Sequence, residues 1–194
     1  MDRFMKLANE NAKRGIKNGD GGPFGAIILD ENLNIIANGN NKVLKNNDPT
    51  AHAEIVAIRE ACKKLNTYDL SKCILYTSCE PCPMCLSAII WANIKTVYYG
   101  CTKEDAGEIG FRDDIIYDYL KGKNTKLINL KQLDRNTIFI TQLKKNIANW
   151  DVIVILLLKQ SKRYNVKTRN HLIDKISKSI SEELIMIQTI EKLF

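Results

Sequence analysis

Two short stretches hold the residues able to do chemistry, Thr50-Ala51-His52-Ala53-Glu54 and Cys79-Glu80-Pro81-Cys82-Pro83-Met84-Cys85. Together they supply one imidazole, one carboxylate and a close pair of thiols, the parts of a hydrolytic zinc site. A catalytic zinc takes three protein ligands and keeps a fourth position for water, a set that His52, Cys82 and Cys85 complete. Glu54 is then left to carry a proton from that water to a substrate.

The spacing supports this reading. Cys82 and Cys85 are three residues apart, so in the first turn of a helix their sulfurs are neighbours, where free N–H groups and the positive dipole end favour thiolate. His52 and Glu54 diverge along a regular helix, but at a helix start one can ligate while the other reaches the water. Asp48-Pro49-Thr50 supplies the capping and proline chemistry expected just before such a start. Each residue alone has an ordinary reading: a lone His bonds a backbone group, and a lone C-x-x-C is redox-active or half of a structural zinc site. The joint pattern is rarer, since the chain has two histidines and His52 opens an apolar-periodic segment beside Glu54. His171 has no such company and reads as a solvated tail residue. Cys79 extends the run to C-x-x-C-x-x-C and invites a three-thiolate or iron–sulfur reading, but such clusters use four thiolates and no Glu beside a His. Cys62, Cys73 and Cys101 lie in apolar surroundings and read as buried small hydrophobes.

A chain of 194 residues, 45% of them hydrophobic, allows a full core. Six cysteines and the start Met1-Asp2-Arg3-Phe4-Met5-Lys6, which lacks an apolar run, point to a reducing compartment, the cytoplasm. The formal charge of +7 is uneven: residues 1–150 carry 21 Lys/Arg against 17 Asp/Glu, and residues 151–194 carry 8 against 5. Basic surface suits nucleic acid, yet no aromatic-basic motif accompanies it, and modest excesses also serve solubility.

These side chains need elements to position them. The patterning predicts a helix over Phe4–Ile16, strands over Phe24–Leu29 and Asn34–Ala37 joined by Asp30-Glu31-Asn32, and a helix over Ile55–Leu65 with Ile55, Ile58, Cys62 and Leu65 on one stripe. A strand Ile74–Thr77 runs into the cysteine motif, followed by a buried helix over Leu86–Ala92 and a strand Thr96–Tyr99. That order predicts an α/β fold, a mixed central sheet between helix layers, with the zinc residues at helix starts beyond strand ends. The glycines at 19, 21, 22 and 25 lead into a strand, not a helix, so they make no phosphate loop; they let backbone turn tightly or approach a ligand.

The H-x-E and P-C-x-x-C pair is the signature of zinc nucleobase deaminases. With Gly21-Gly22-Pro23-Phe24-Gly25-Ala26, Asn47-Asp48-Pro49-Thr50 and Ala106-Gly107-Glu108-Ile109-Gly110-Phe111, residues 1 to about 120 resemble the bacterial guanine deaminases of the cytidine deaminase-like fold. The resemblance implies a three-layer α/β/α sandwich, conversion of guanine to xanthine and ammonia, one Zn2+ per subunit and a homodimer. It assigns His52, Cys82 and Cys85 to zinc and Glu54 to the proton shuttle. It further implies substrate contacts from Asn41, Asp113, Phe24, Ala53 and Trp91, although an Asn in a strand-end loop, an Asp at a helix cap and core aromatics are ordinary in themselves.

Three other readings compete. The tRNA adenosine deaminases are similar around Asp48–Glu54 and Glu80–Cys85, but they carry Lys-Thr-Gly-Ala where this chain has the more acidic segment from Lys103 to Phe111, which disfavours an RNA backbone. Cytosine or cytidine deaminase fits Ser78-Cys79 and the Phe111 segment less well. A zinc-stabilised binding protein is the non-enzyme alternative; its mark would be a closed fourth zinc position, for instance Cys79.

The C-terminus departs from the family. Guanine deaminases are expected to close the neighbouring subunit's site with a C-terminal aromatic, and beyond about Leu143 only Trp150 offers itself. The sequence therefore divides into a deaminase domain, 1–150, and an atypical extension, 151–194. In the extension the apolar run Val152–Leu158 is too short to span a bilayer as a helix, and Leu172, Ile173, Ile176, Ile180, Leu184, Ile187 and Ile190 recur at helical spacing. A packed extra strand or helix, a non-family tail without function, and a membrane-surface or partner helix all fit that stretch.

Overall fold

A computed structural model describes residues 2–111, 113–123 and 170–178, with Leu127, Ile128, Leu130, Asn146 and Ile155. The chain divides into two compact units, residues 1–129 and 130–194. In the first, the order is α1 (Arg3–Lys17), β1 (Gly25–Leu29), β2 (Ile35–Asn40), α2 (Val43–Asn46), α3 (Ala53–Leu65), β3 (Ile74–Cys79), α4 (Pro83–Trp91), β4 (Thr96–Cys101), α5 (Lys103–Glu108) and α6 (Asp114–Leu120).

The strands form one mixed sheet in the order β2-β1-β3-β4, with β1 antiparallel to both β2 and β3, and β3 parallel to β4. Strand β1 is buried along its whole length. Its alternate residues feed two cores: Ala26 and Ile28 join Ala53, Ala57, Leu75 and Ile89 on the face covered by α3 and α4, while Ile27 and Leu29 join Phe4 and Tyr76 under α1. This is the three-layer α/β/α sandwich that the resemblance implies. Burying a side chain such as Ile27 or Ile28 from water contributes roughly 1.5–3 kcal/mol.

Strand β2 runs three residues further than its apolar pattern predicts. Asn38, Gly39 and Asn40 are poor strand formers, but they pair with Ile27, Ala26 and Gly25. Gly39 is required by packing, since a side chain there would strike the Ala53 carbonyl, and its absence lets α3 lie directly on β2. The Asn-rich end of β2 thereby reaches the site.

Three short helices, α2, α5 and α6, escape the periodicity reading because each is too short to show a stripe. Cys73 is buried and Cys62 half-buried as expected, but Cys101 is exposed, because β4 is an edge strand among the described residues. In the second unit, residues 170–178 are helical, with Leu172, Ile173 and Ile176 half-buried and His171, Asp174 and Lys175 exposed, as an amphipathic helix requires. Trp150 and most of the Val152–Leu158 run lie outside the described residues, as do Ile180 to Ile190. Among the described residues no helix is long and apolar enough to cross a membrane.

Candidate active site

Two helix starts meet at the site. His52 is the N-cap of α3, extended at φ −66° and ψ 160°, and Cys82 is the N-cap of α4, at φ −62° and ψ 166°, followed by Pro83 at the first helical position. Neither cap uses its side chain on its own helix, so both are free to turn toward one another. Strand β3 delivers the second helix, and the Glu80 N–H bonds the Cys101 carbonyl at 2.8 Å, which ties the loop before Cys82 to the parallel neighbour β4. Asp48 does not cap α3: its carboxylate takes the Thr50 N–H at 2.8 Å and hydroxyl at 2.7 Å, folding the approach to His52 into a local turn.

The Sγ atoms of Cys82 and Cys85 each lie 3.5 Å from His52 Nδ1. All three donor atoms are within 4.8 Å of one another, and they form the one candidate metal cluster among the described residues. Zinc bonds of about 2.3 Å to sulfur and 2.0–2.1 Å to nitrogen at a tetrahedral angle place such donors about 3.6 Å apart. The spacing and the soft N/S donor set therefore fit zinc. Cys79 is outside the cluster, its thiol directed at the Thr102 carbonyl at 3.5 Å and pushed up to about 11 by burial and by Cys101. That geometry disfavours both the three-thiolate reading and a fourth ligand from Cys79.

The electrostatics sort the groups into roles. Cys82 is held down to about 4 by the hydrogen bond from Cys85 and, against burial, by His52. Cys85 is pushed up because it keeps the proton that it shares with Cys82 and is buried. The bond to Cys82 raises His52, since it favours imidazolium. Glu54, 6% exposed, lies in the first turn of α3 with Oε2 3.5 Å from Cys85 Sγ, and desolvation pushes its carboxyl up. Glu54 is thus a buried carboxylate beside the metal-fitting triad and not part of it, the position from which a carboxylate can exchange protons with a neighbouring water.

A cavity of about 530 Å³ opens onto these groups; Phe24, Asn41 and Asp113 line it together with His52, Glu54 and Cys82. Asn41 is 5% exposed, and its Oδ1 accepts from the Gly22 N–H at 3.2 Å and the Val43 N–H at 3.1 Å. Gly21 permits this approach, since a Cβ there would collide with Asn41 Oδ1. Asp113, the N-cap of α6, makes no capping bond, and burial followed by the Cys82 thiolate raises its pKa.

Two predicted contacts are not brought to this cavity. Trp91, at the end of α4, is 86% exposed and lines a separate depression with Tyr68, Ile90 and Asn93. The Ala53 side chain is fully buried in the core beneath the sheet, because the α3 turn that sends His52 and Glu54 toward the cavity sends residue 53 inward. Conversely, Phe111 was not assigned a contact from sequence, yet it lines the cavity edge-on to Phe24, with centroids 4.9 Å apart and planes at 87°. Leu44, Glu80 and Lys103 also line it. The signal for Phe111 was its place in the Ala106–Phe111 motif.

The chain resembles known proteins in the same region. The profile of the cytidine and deoxycytidylate deaminase zinc-binding region matches residues 1–101. A guanine deaminase of Bacillus subtilis is 56% identical over 116 residues, 60% of this chain and 74% of that protein. A crystal structure of a guanine deaminase from Bacillus subtilis superposes with a TM-score of 0.69 at 47% identity, covering 75% of this chain and 95% of that one. A tRNA-specific adenosine deaminase of Haemophilus influenzae is 38% identical over 118 residues, 61% of this chain and 68% of that protein. With the profile spanning more than half of its length and the triad in place, the chain belongs to the zinc-dependent cytidine and deoxycytidylate deaminase family.

Proposed function

We propose that this protein hydrolyses guanine to xanthine and ammonia. The observation that carries the reading is the buried Glu54 carboxylate set beside the His52, Cys82 and Cys85 triad at a cavity that also presents Asn41 and Asp113. The 56% identity to a guanine deaminase over 116 residues favours guanine among the bases.

His52, Cys82 and Cys85 would hold zinc, which when bound polarises water and lowers its pKa toward about 7. Glu54, raised by desolvation, would carry two protons in turn at its carboxylate: the one given up by the attacking water goes to a ring nitrogen, and the one given up by the hydroxyl then borne on the ring carbon goes to the departing amine, which leaves as ammonia. The Asn41 carbonyl oxygen is occupied by two backbone N–H groups, so its Nδ2 is the group left to present, a donor for a ring nitrogen or carbonyl of the base. Asp113 accepts from the N–H groups on the base's other edge, and Phe24 with Phe111 holds its plane.

Beyond the chemistry, we read the protein as a cytoplasmic homodimer acting in purine metabolism. Helix α4 is apolar except for Ser87, whose hydroxyl bonds back to the Pro83 carbonyl, yet Leu86, Ile90 and Trp91 are exposed on it, the pattern of a helix whose outer face is covered by another chain. All the site residues lie between 24 and 113, so the deaminase domain, assigned to residues 1–150, should bind zinc without residues 151–194.

Ammonia release from guanine, adenine, cytosine and an adenosine-containing tRNA anticodon hairpin, each offered to zinc-loaded protein, tests the assignment. Release from guanine alone is expected. Release only from the hairpin would overturn it and make the protein an RNA-editing enzyme.

A further inference from the structure

Asp20 does not line the cavity, but it sits behind two of the connections that do. It is 4% exposed and belongs to neither the metal cluster nor the apolar cores. Its Oδ2 accepts from Asn40 Nδ2 at 3.0 Å, and its Oδ1 pairs with Lys45 Nζ at 3.1 Å. Its carbonyl also takes the Lys45 N–H at 3.0 Å. Asn40 Nδ2 turns its second proton to the Asn41 carbonyl at 3.0 Å. One carboxylate therefore joins the connection from α1 to β1, which carries Gly21 and Gly22, to the connection from β2 to α2, which carries Asn41.

The first connection holds the Gly22 N–H, the first residue of α2 holds the Val43 N–H, and both donate to Asn41 Oδ1. Where the two amides sit decides which way the Asn41 amide plane faces, and so where its Nδ2 points. Withdrawing a carboxylate from water is costly unless it is paired and hydrogen-bonded, and directional charge-assisted bonds fix geometry better than apolar packing does. We propose that Asp20 is a positioning residue: acting through Asn40 and Lys45, it holds the two connections in register, orients the Asn41 amide, and so sets affinity for the base without entering the chemistry. This rests on the reading of the cavity as a purine-base site.

The test uses the zinc-loaded full chain with Asp20→Asn, Lys45→Met, Asn41→Ala and the double variant Asp20→Asn/Asn41→Ala. Asp20→Asn keeps the shape but removes the charge and one of the two acceptors. It is expected to raise KM for guanine about 5–20-fold while kcat stays within about twofold, with zinc per chain unchanged. Lys45→Met, whose parent side chain is 55% exposed, should raise KM in the same direction by less, and serves if Asp20→Asn does not fold. In the Asn41→Ala background, Asp20→Asn should add less than about twofold, because the two residues act through one group. Hydrogen exchange at the Gly22 and Val43 amides should quicken in Asp20→Asn. An unchanged KM, a loss confined to kcat, or an undiminished effect in the Asn41→Ala background would overturn the proposal. If the wild type acts on another base and not on guanine, the guanine assignment falls and the same ratios are read on that base. If no base is turned over, unchanged exchange at Gly22 and Val43 overturns the clamp, and faster exchange upholds it.

Discussion

His52, Glu54, Cys82 and Cys85 come from the first turns of two helices, whereas Phe24, Asn41, Phe111 and Asp113 come from three separate connections, Phe111 and Asp113 sharing the one between α5 and α6. In the first group geometry is local: once α3 and α4 start where they do, donor atoms 3.5 Å apart follow from the N-cap conformations. In the second group the side chains depend on three different loops, held by bonds such as those of Gly22 and Val43 to Asn41. A metal needs a few donors within about 2 Å of one point, which short motifs can provide; recognition of a flat base needs contacts around its perimeter, which they cannot.

The sharpest way to break this comparison is to remove one local donor. Cys85→Ser replaces a buried thiol with a hard, weakly ionising hydroxyl, and zinc content by metal analysis should fall together with activity to under about one hundredth. Retention of zinc would mean that the cluster is not the metal site. Glu54→Gln separates binding from chemistry: turnover should fall about 10²–10⁴-fold with zinc content unchanged. A binding module held together by zinc would show no change in ligand affinity.

The pH dependence follows from the same carboxylate. Burial raises Glu54 above the ordinary 4.5, and the reaction needs its ionised form, so the acid limb of kcat/KM should lie above that value and disappear in the residual activity of Glu54→Gln. The stability effect has the opposite sense. A group whose folded pKa is raised costs stability once pH exceeds its unfolded value, so metal-free Glu54→Gln should melt higher than metal-free wild type at neutral pH, by roughly 2–4 °C for each 1 kcal/mol relieved. Equal melting temperatures would place Glu54 in a more solvated setting than its 6% exposure indicates.

Much of the first group was legible in the sequence, because His-x-Glu and Cys-x-x-Cys are short-range patterns whose meaning depends on helix starts. The sheet core was legible for the same reason, Ile27, Ile28 and Leu29 forming a continuous apolar run in β1. What was not legible came from long-range pairing. The extension of β2 through Asn38-Gly39-Asn40 depends on partners in β1, and the hydrogen bonds that orient Asn41 come from residues on either side of it in space. Trp91 shows the converse: an aromatic near the cysteine motif in sequence ends a helix whose axis has carried it to the surface of the chain. At residue 53 the neighbours' side chains face the cavity while its own methyl group faces the core, so its side chain offers the base no contact.

The contacts to the base should respond in smaller steps. Asp113→Asn replaces an acceptor with a group that must present one donor, so kcat/KM for guanine should drop about 10–100-fold, with the loss smaller for bases lacking an N–H on that edge. Phe111→Ala removes the edge-on partner of Phe24, an arrangement worth about 0.5–1.5 kcal/mol, so KM should rise roughly 2–12-fold with kcat little changed. If Phe111→Ala instead abolished zinc binding, the two groups of residues would not be separable.

Trp91 gives the smallest effect and the one that tests the boundary of the site. Its indole is 86% exposed and lines a depression distinct from the catalytic cavity, so Trp91→Ser should leave KM and zinc content unchanged when the protein is assayed at high concentration. The same substitution removes a large apolar group from the exposed face of α4, where aromatic anchors contribute most to association, so a dimer formed on that face should dissociate about tenfold or more readily in sedimentation. A raised KM at high concentration would return Trp91 to the base pocket, across a subunit boundary. An unchanged dimer would move the interface off α4 and leave Leu86, Ile90 and Trp91 as an apolar face of some other use.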